Sequence, residues 1–122
     1  MKRNYRLYIQ DISDCIRKIE QFVGEMSFEE FVKDDKTSSA IVRKLEIMGE
    51  ATKNIPETIR EKYRDIPWVD MAKMRDKIAH FYFGIDYEII WEVIKNELPK
   101  IKPMIEKILD LSNFEFEKLL EK

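Results

Sequence analysis

The chain's single histidine, His80, follows Arg75 by five positions and precedes Tyr82 by two, giving the pattern R-x-x-x-x-H-x-Y. Arginine keeps its charge at any cellular pH and its planar fork suits phosphate oxygens. Histidine titrates near neutrality and can take or give a proton. Together they suit cleavage of an RNA phosphodiester. A base removes the 2′-hydroxyl proton, the oxygen attacks the adjacent phosphorus, and positive charge stabilises the phosphorane. The leaving 5′-oxygen also wants an acid, and one histidine per chain cannot easily be acid and base at once. A twofold dimer with two copies of the motif side by side would supply both groups. A plainer reading stands beside this one: a lone histidine near a helix C-terminus suits the helix dipole, and Tyr82 suits a half-buried aromatic position.

The element expected to carry the motif is a helix of about four turns between Pro67 and Gly84, since proline is tolerated at a first turn and glycine just past a last one. On such a helix Asp76 and His80 are i, i+4 neighbours, and Arg75 and Tyr82 are i, i+7 neighbours. Arg75 and His80 would project roughly 140° apart, five steps of about 100°, so they meet at one phosphate only through arginine's long reach or through a partner subunit. Lys73, Arg75 and Lys77 form a local basic cluster, and Lys73 and Lys77 are candidate RNA contacts.

Upstream, Tyr5, Tyr8, Ile9, Ile12, Cys15, Ile16, Ile19, Phe22 and Val23 recur at helical spacing, predicting an amphipathic helix stopped by Gly24. Ser27-Phe-Glu-Glu30 reads as a capping box opening a short helix, followed by a solvated turn at 33–36. A second long helix is expected from about Ser38 to Asn54, with Gly49 inside it implying close packing. A shorter helical segment spans Glu57 to Tyr63. Asp86 is expected to cap a final long helix running to about Ile108, kinked near Asn96 to Lys100 by Pro99 and Pro103. The domain is placed at residues 1–110, with 111–122 a tail or short helix. Trp68, Trp91, Met71 and Met74 read as core, and Glu50 as a helix-face carboxylate.

With 122 residues and 14.8 kDa the chain suits one domain. Few glycines and prolines, with 38% charged and 44% hydrophobic residues, make all-α the default class. A net charge of −2 and pI near 5.6 argue against nonspecific coating of nucleic acid, so any RNA site must be local. Glycines at 24, 49 and 84 alone exclude a phosphate-cradling glycine loop. One histidine, one cysteine and no Glu-x-x-His pair disfavour a metal-dependent hydrolase, and no serine elbow accompanies His80. No metal and no cofactor are expected. Cys15 is expected to pack in a core in a reducing cytosol. With no signal peptide or membrane span expected, the reading is cytoplasmic.

Arg75-Asp-Lys-Ile-Ala-His80-Phe-Tyr82, preceded by Ile66-Pro-Trp68 and Met74 and joined upstream by Ile47-Met-Gly-Glu-Ala51 and Ser27-Phe-Glu-Glu-Phe31, resembles the HepT group of the HEPN superfamily. The resemblance runs from Tyr5 to about Ile108. It implies an up-and-down bundle of four to five helices acting as a metal-independent endoribonuclease toxin in a homodimer. Arg75 and His80 match the catalytic pair, and Asp76 would orient either one. Tyr82 matches the tyrosine that receives AMP from ATP through the partner antitoxin, a minimal nucleotidyltransferase of a type VII HEPN/MNT toxin–antitoxin system. Implied partners are an RNA substrate, such as tRNA or mRNA, and that antitoxin, including a heteromeric complex with it. The alternative function is a noncatalytic helical module that binds the nucleotidyltransferase or a nucleotide.

Overall fold

The computed structural model describes residues 4–80 and 84–121, with backbone alone at 79 and 80. The architecture is an all-α bundle built on two 19-residue helices, α1 (Tyr5–Val23) and α3 (Asp35–Lys53), which pack against each other along their length. Ile9, Ile12, Ile16 and Ile19 of α1 and Ile41, Leu45 and Met48 of α3 are fully or almost fully buried. The spacing of three and four that these residues keep in sequence forms the stripe each helix presents to the core. Asn4 caps α1 by accepting from the Arg6 amide at 2.8 Å, and Gly24, at φ 47°, ends it with a backbone bond to Glu20.

The short helix α2 (Phe28–Lys33) opens with the expected reciprocal capping box between Ser27 and Glu30. The turn expected at 33–36 is tighter than that: Asp34 accepts from the Thr37 amide and hydroxyl, so α3 begins at Asp35. Helix α4 (Glu57–Lys62) follows Pro56. Arg60 donates to the carbonyls of Thr52 and Ile55 and so satisfies the end of α3.

The largest departure from the sequence reading lies in the motif segment. In place of one four-turn helix there are α5 (Trp68–Ala72), a turn at Lys73, α6 (Met74–Ile78), and a two-stranded antiparallel ladder of β1 (Ala79–His80) with β2 (Gly84–Ile85). Gly84, at φ 79°, adopts a conformation other residues avoid. The Asp86 amide then bonds to the Ile78 carbonyl at 3.0 Å, closing the end of α6.

Asp86 caps α7 (Tyr87–Glu92) through the Ile89 amide, as expected. The kink before Pro99 is a π-helical turn over Val93–Glu97, where the Leu98 amide reaches back five residues to Val93, leading into α8 (Leu98–Leu109). A regular turn would press the Pro99 ring against a preceding carbonyl, and the wider turn relieves that clash. Ile101, Ile105 and Ile108 of α8 then complete the core against α1. The tail forms α9 (Asn113–Leu119), with Phe116 2% exposed. Arg6 holds it by donating to the carbonyls of Leu109 and Leu111 at 2.7 Å. No helix among the described residues is long and apolar enough to cross a membrane.

Candidate functional site

Helix α6 is amphipathic over little more than a turn. Met74 and Ile78, an i, i+4 pair, are buried, which leaves Arg75 and Asp76 facing solvent. Trp68 and Met71 anchor the preceding α5, with the Trp68 indole donating to the Tyr63 carbonyl at 3.0 Å. These contacts give Ile66-Pro-Trp68 and Met74 a structural meaning: they seat the segment ahead of the motif.

Gly49 supplies the seat itself. A Cβ at this position of α3 would lie 3.2 Å from the Met71 carbonyl oxygen and 3.6 Å from both the Ala72 oxygen and Met74 Cβ. Because no side chain intervenes, the junction of α5 and α6 lies directly against α3. That approach brings Arg75 Nε to 3.6 Å from Oε2 of Glu46, one turn before Gly49 on the same helix. The Arg75 side chain stays 76% exposed, and that of Glu46 is 28% exposed.

Lys77 takes the opposite flank. Its ammonium donates to both carboxylate oxygens of Glu97 at 2.9 Å, and Glu97 sits in the π-helical turn. Lys73, at the turn between α5 and α6, is exposed. The two candidate RNA contacts therefore differ: Lys73 is free to meet solvent, and Lys77 is tied within the bundle. Glu50 pairs with Lys53 on the outer face of α3, as a helix-face carboxylate should.

The backbone of His80 is paired to Gly84 in the ladder, two residues beyond the end of α6. The i, i+4 relation of Asp76 to His80 and the 140° separation of Arg75 from His80 presumed a continuous helix and do not hold, since the helix ends at Ile78; the expected i, i+7 relation of Arg75 to Tyr82 falls outside the described residues. The His80 side chain and all of Tyr82 lie outside the described residues. Phe31 of α2 packs edge-on to Tyr87 at 6.0 Å and against Trp91 at 5.3 Å, and Phe28 also meets Trp91, at 5.8 Å. This aromatic cluster explains the Ser27-Phe-Glu-Glu-Phe31 motif: it holds α7, and so the exit of the ladder. Trp91 is half-buried on that cluster, not in the core proper.

Glu46 and Glu97 were not singled out in the sequence. For Glu46 a signal exists, one helical turn before the packing glycine, whereas Glu97 depends on the local widening of the helix. Cys15 is buried, and burial pushes its thiol up to about 11, so it is held as the inert thiol. Among the described residues no three His, Cys, Asp or Glu side chains cluster where they could hold a metal ion.

A family model described as Ribonuclease HepT-like matches residues 12–108. The chain is 45% identical over 108 residues to a Thermococcus cleftensis protein named "Probable ribonuclease HepT", covering 88% of this chain and 98% of the relative. A provisionally named RNase of Methanocaldococcus jannaschii is 45% identical, covering 88% of this chain and 89% of the relative. Another from Caldanaerobacter subterraneus is 48% identical over 105 residues, covering 85% of this chain and 93% of the relative. No solved structure gives a significant match. With an all-α bundle in place and the match spanning α1 to α8, the chain belongs to the HepT-like ribonuclease family.

Proposed function

We propose that this protein is a metal-independent endoribonuclease toxin, active as a homodimer, in which Arg75 and His80 carry the chemistry. The observation that carries the reading is the Arg75 guanidinium, 76% exposed on a helix whose next element is the strand bearing His80, in a chain of a ribonuclease family. A guanidinium so exposed keeps its donors for phosphate oxygens.

In the proposed reaction, an imidazole takes the proton of the 2′-hydroxyl and the oxygen attacks the adjacent phosphorus. The bond to the 5′-oxygen breaks, and that oxygen receives a proton from an imidazolium. The products are a 2′,3′-cyclic phosphate and a 5′-hydroxyl, with Arg75 stabilising the charge on the phosphorane. The homodimer supplies one histidine as base and its symmetry mate as acid. Asp76, exposed beside Arg75, orients one or other member of the catalytic pair, and Lys73 meets the RNA backbone. Lys77 contributes to the local field from within its pair with Glu97.

Silencing follows from the same electrostatics. AMP transferred from ATP to the Tyr82 hydroxyl oxygen by a nucleotidyltransferase antitoxin, with pyrophosphate leaving, adds bulk and negative charge beside a phosphate-seeking site, so RNA is repelled. The cytoplasm is the compartment that this partnership requires.

One observation favours a second reading, a noncatalytic module that binds the nucleotidyltransferase or a nucleotide. Arg75 and Lys77 each face an intrachain carboxylate, and the chain is acidic overall. Incubating purified protein with total RNA in a chelator separates the two. The ribonuclease reading expects loss of RNA with the wild type and none with His80→Ala; equal loss, or none with either, overturns it. Intact-mass spectrometry after co-expression with the nucleotidyltransferase is expected to find added AMP that vanishes in Tyr82→Phe. An unmodified mass overturns the silencing.

A further inference from the structure

We propose that Glu46 is a positioning residue for Arg75, an inference that rests on the ribonuclease reading of the site. Glu46 approaches the guanidinium at Nε, with Oε2 at 3.6 Å, while the Arg75 side chain remains 76% exposed. The contact falls at the root of the fork. The closest approach is thus at Nε and not at the terminal nitrogens, which form the edge suited to a phosphate. A carboxylate beside Nε favours the arginine rotamers that keep it there before substrate arrives, so less ordering remains for the transition state to impose.

The placement is built by backbone, not by the ion pair itself. Glu46 lies one turn before Gly49 on α3, and the close approach of Gly49 to the carbonyls of Met71 and Ala72 fixes the start of α6 over that part of α3. Glu46 therefore meets Arg75 across an interface whose spacing the glycine sets. Glu50, one turn further along α3, is engaged by Lys53. Among the described residues, Glu46 is the carboxylate paired with Arg75.

Because Arg75 is exposed and the pair sits at 3.6 Å, its removal is expected to leave the fold intact, with the melting temperature shifting by under about 4 °C. Its effect belongs to the rate. The Glu46→Ala variant is expected to lower kcat on RNA about tenfold with KM little changed. The Glu46→Gln variant, which keeps an acceptor oxygen at the same reach, is expected to recover most of that loss. Equal inactivity of Gln and Ala would show that an acceptor oxygen beside Nε does not position the arginine, and would overturn the proposal. Wild-type kcat in Glu46→Ala would overturn it too.

A second readout does not depend on cleavage. In the wild type the Arg75 Nε–Hε nuclear resonance is expected to be shifted away from the averaged arginine envelope by the nearby carboxylate, and to move into it in Glu46→Ala. An unchanged resonance contradicts the positioning role even in a protein that cleaves RNA. A wild type that cleaves nothing while the resonance responds as expected overturns the ribonuclease reading and leaves the Glu46–Arg75 coupling standing.

Discussion

Two lysines flanking Arg75 occupy different surroundings, and the difference is testable. Lys73 stands exposed at the turn before α6, whereas Lys77 is held by both oxygens of Glu97. Lys73→Ala is therefore expected to weaken RNA binding and to reduce the salt dependence of affinity by about one phosphate contact, with a smaller effect from Lys77→Ala. Binding to an uncleavable 2′-O-methyl RNA across a salt series checks this. Lys77 and Glu97 are about a third exposed, so their coupling in a double-mutant cycle should be under about 1 kcal/mol. Gly84 makes a sharper case. A Cβ there would meet nothing within 4 Å, yet its φ of 79° is strained for any other residue. Gly84→Ala is expected to cost about 1–2 kcal/mol in urea unfolding, from backbone conformation alone.

At the scale of elements, the long helices were legible because each keeps its apolar residues at helical spacing and carries its own stop. Tyr5–Val23 was read with both ends in place, and Ser27, Asp86 and Gly24 act as the caps and stop their chemistry suggested. The motif segment was not. Pro67 and Gly84 suggested one helix, but they bracket two short helices and a ladder. The tertiary bond from Asp86 to Ile78 that closes α6 leaves no local pattern. The exposure of Arg75 follows from the buried pair Met74 and Ile78, but its carboxylate partner is a tertiary fact. Gly49 links element to site. Adding a methyl there improves helix propensity by about 1 kcal/mol, while the 3.2 Å approach to a backbone oxygen imposes overpacking of about 1–3 kcal/mol. Gly49→Ala is thus expected to lose up to about 2 kcal/mol of stability. It should also lower activity beyond that loss, because α6 must shift and carry Arg75 with it. Comparing kcat with the urea midpoint separates the two effects.

For the whole molecule, the capping boxes make stability sensitive to acid. Glu30 and Glu115 are held below their ordinary value of 4.5 and Asp34 below 3.8, in each case chiefly by backbone amide hydrogen bonds. Depressed carboxylates contribute stability that is present above those ordinary values and is lost as pH falls through the lower folded ones. The melting temperature is accordingly expected to hold from neutrality to about pH 5 and to fall below about pH 4. Thermal unfolding across pH 3 to 7 measures it, and an unchanged melting temperature at pH 3 would contradict the assignment. The C-terminal helix α9 belongs to the same folded body, since Phe116 is buried and Lys62 donates to carbonyls of Lys118, Leu119 and Glu121. The family match ends at residue 108, before this helix begins.

The proposed active protein brings two copies of Arg75 and His80 to one scissile link, and the rate of cleaving a short RNA in the presence of a chelator tests that most directly. The wild type is expected to cut it to a 2′,3′-cyclic phosphate and a 5′-hydroxyl, with Arg75→Ala and His80→Ala each slower by at least about a hundredfold. Cleavage by either variant at the wild-type rate, or cleavage of the same RNA carrying 2′-O-methyl groups throughout, would contradict it.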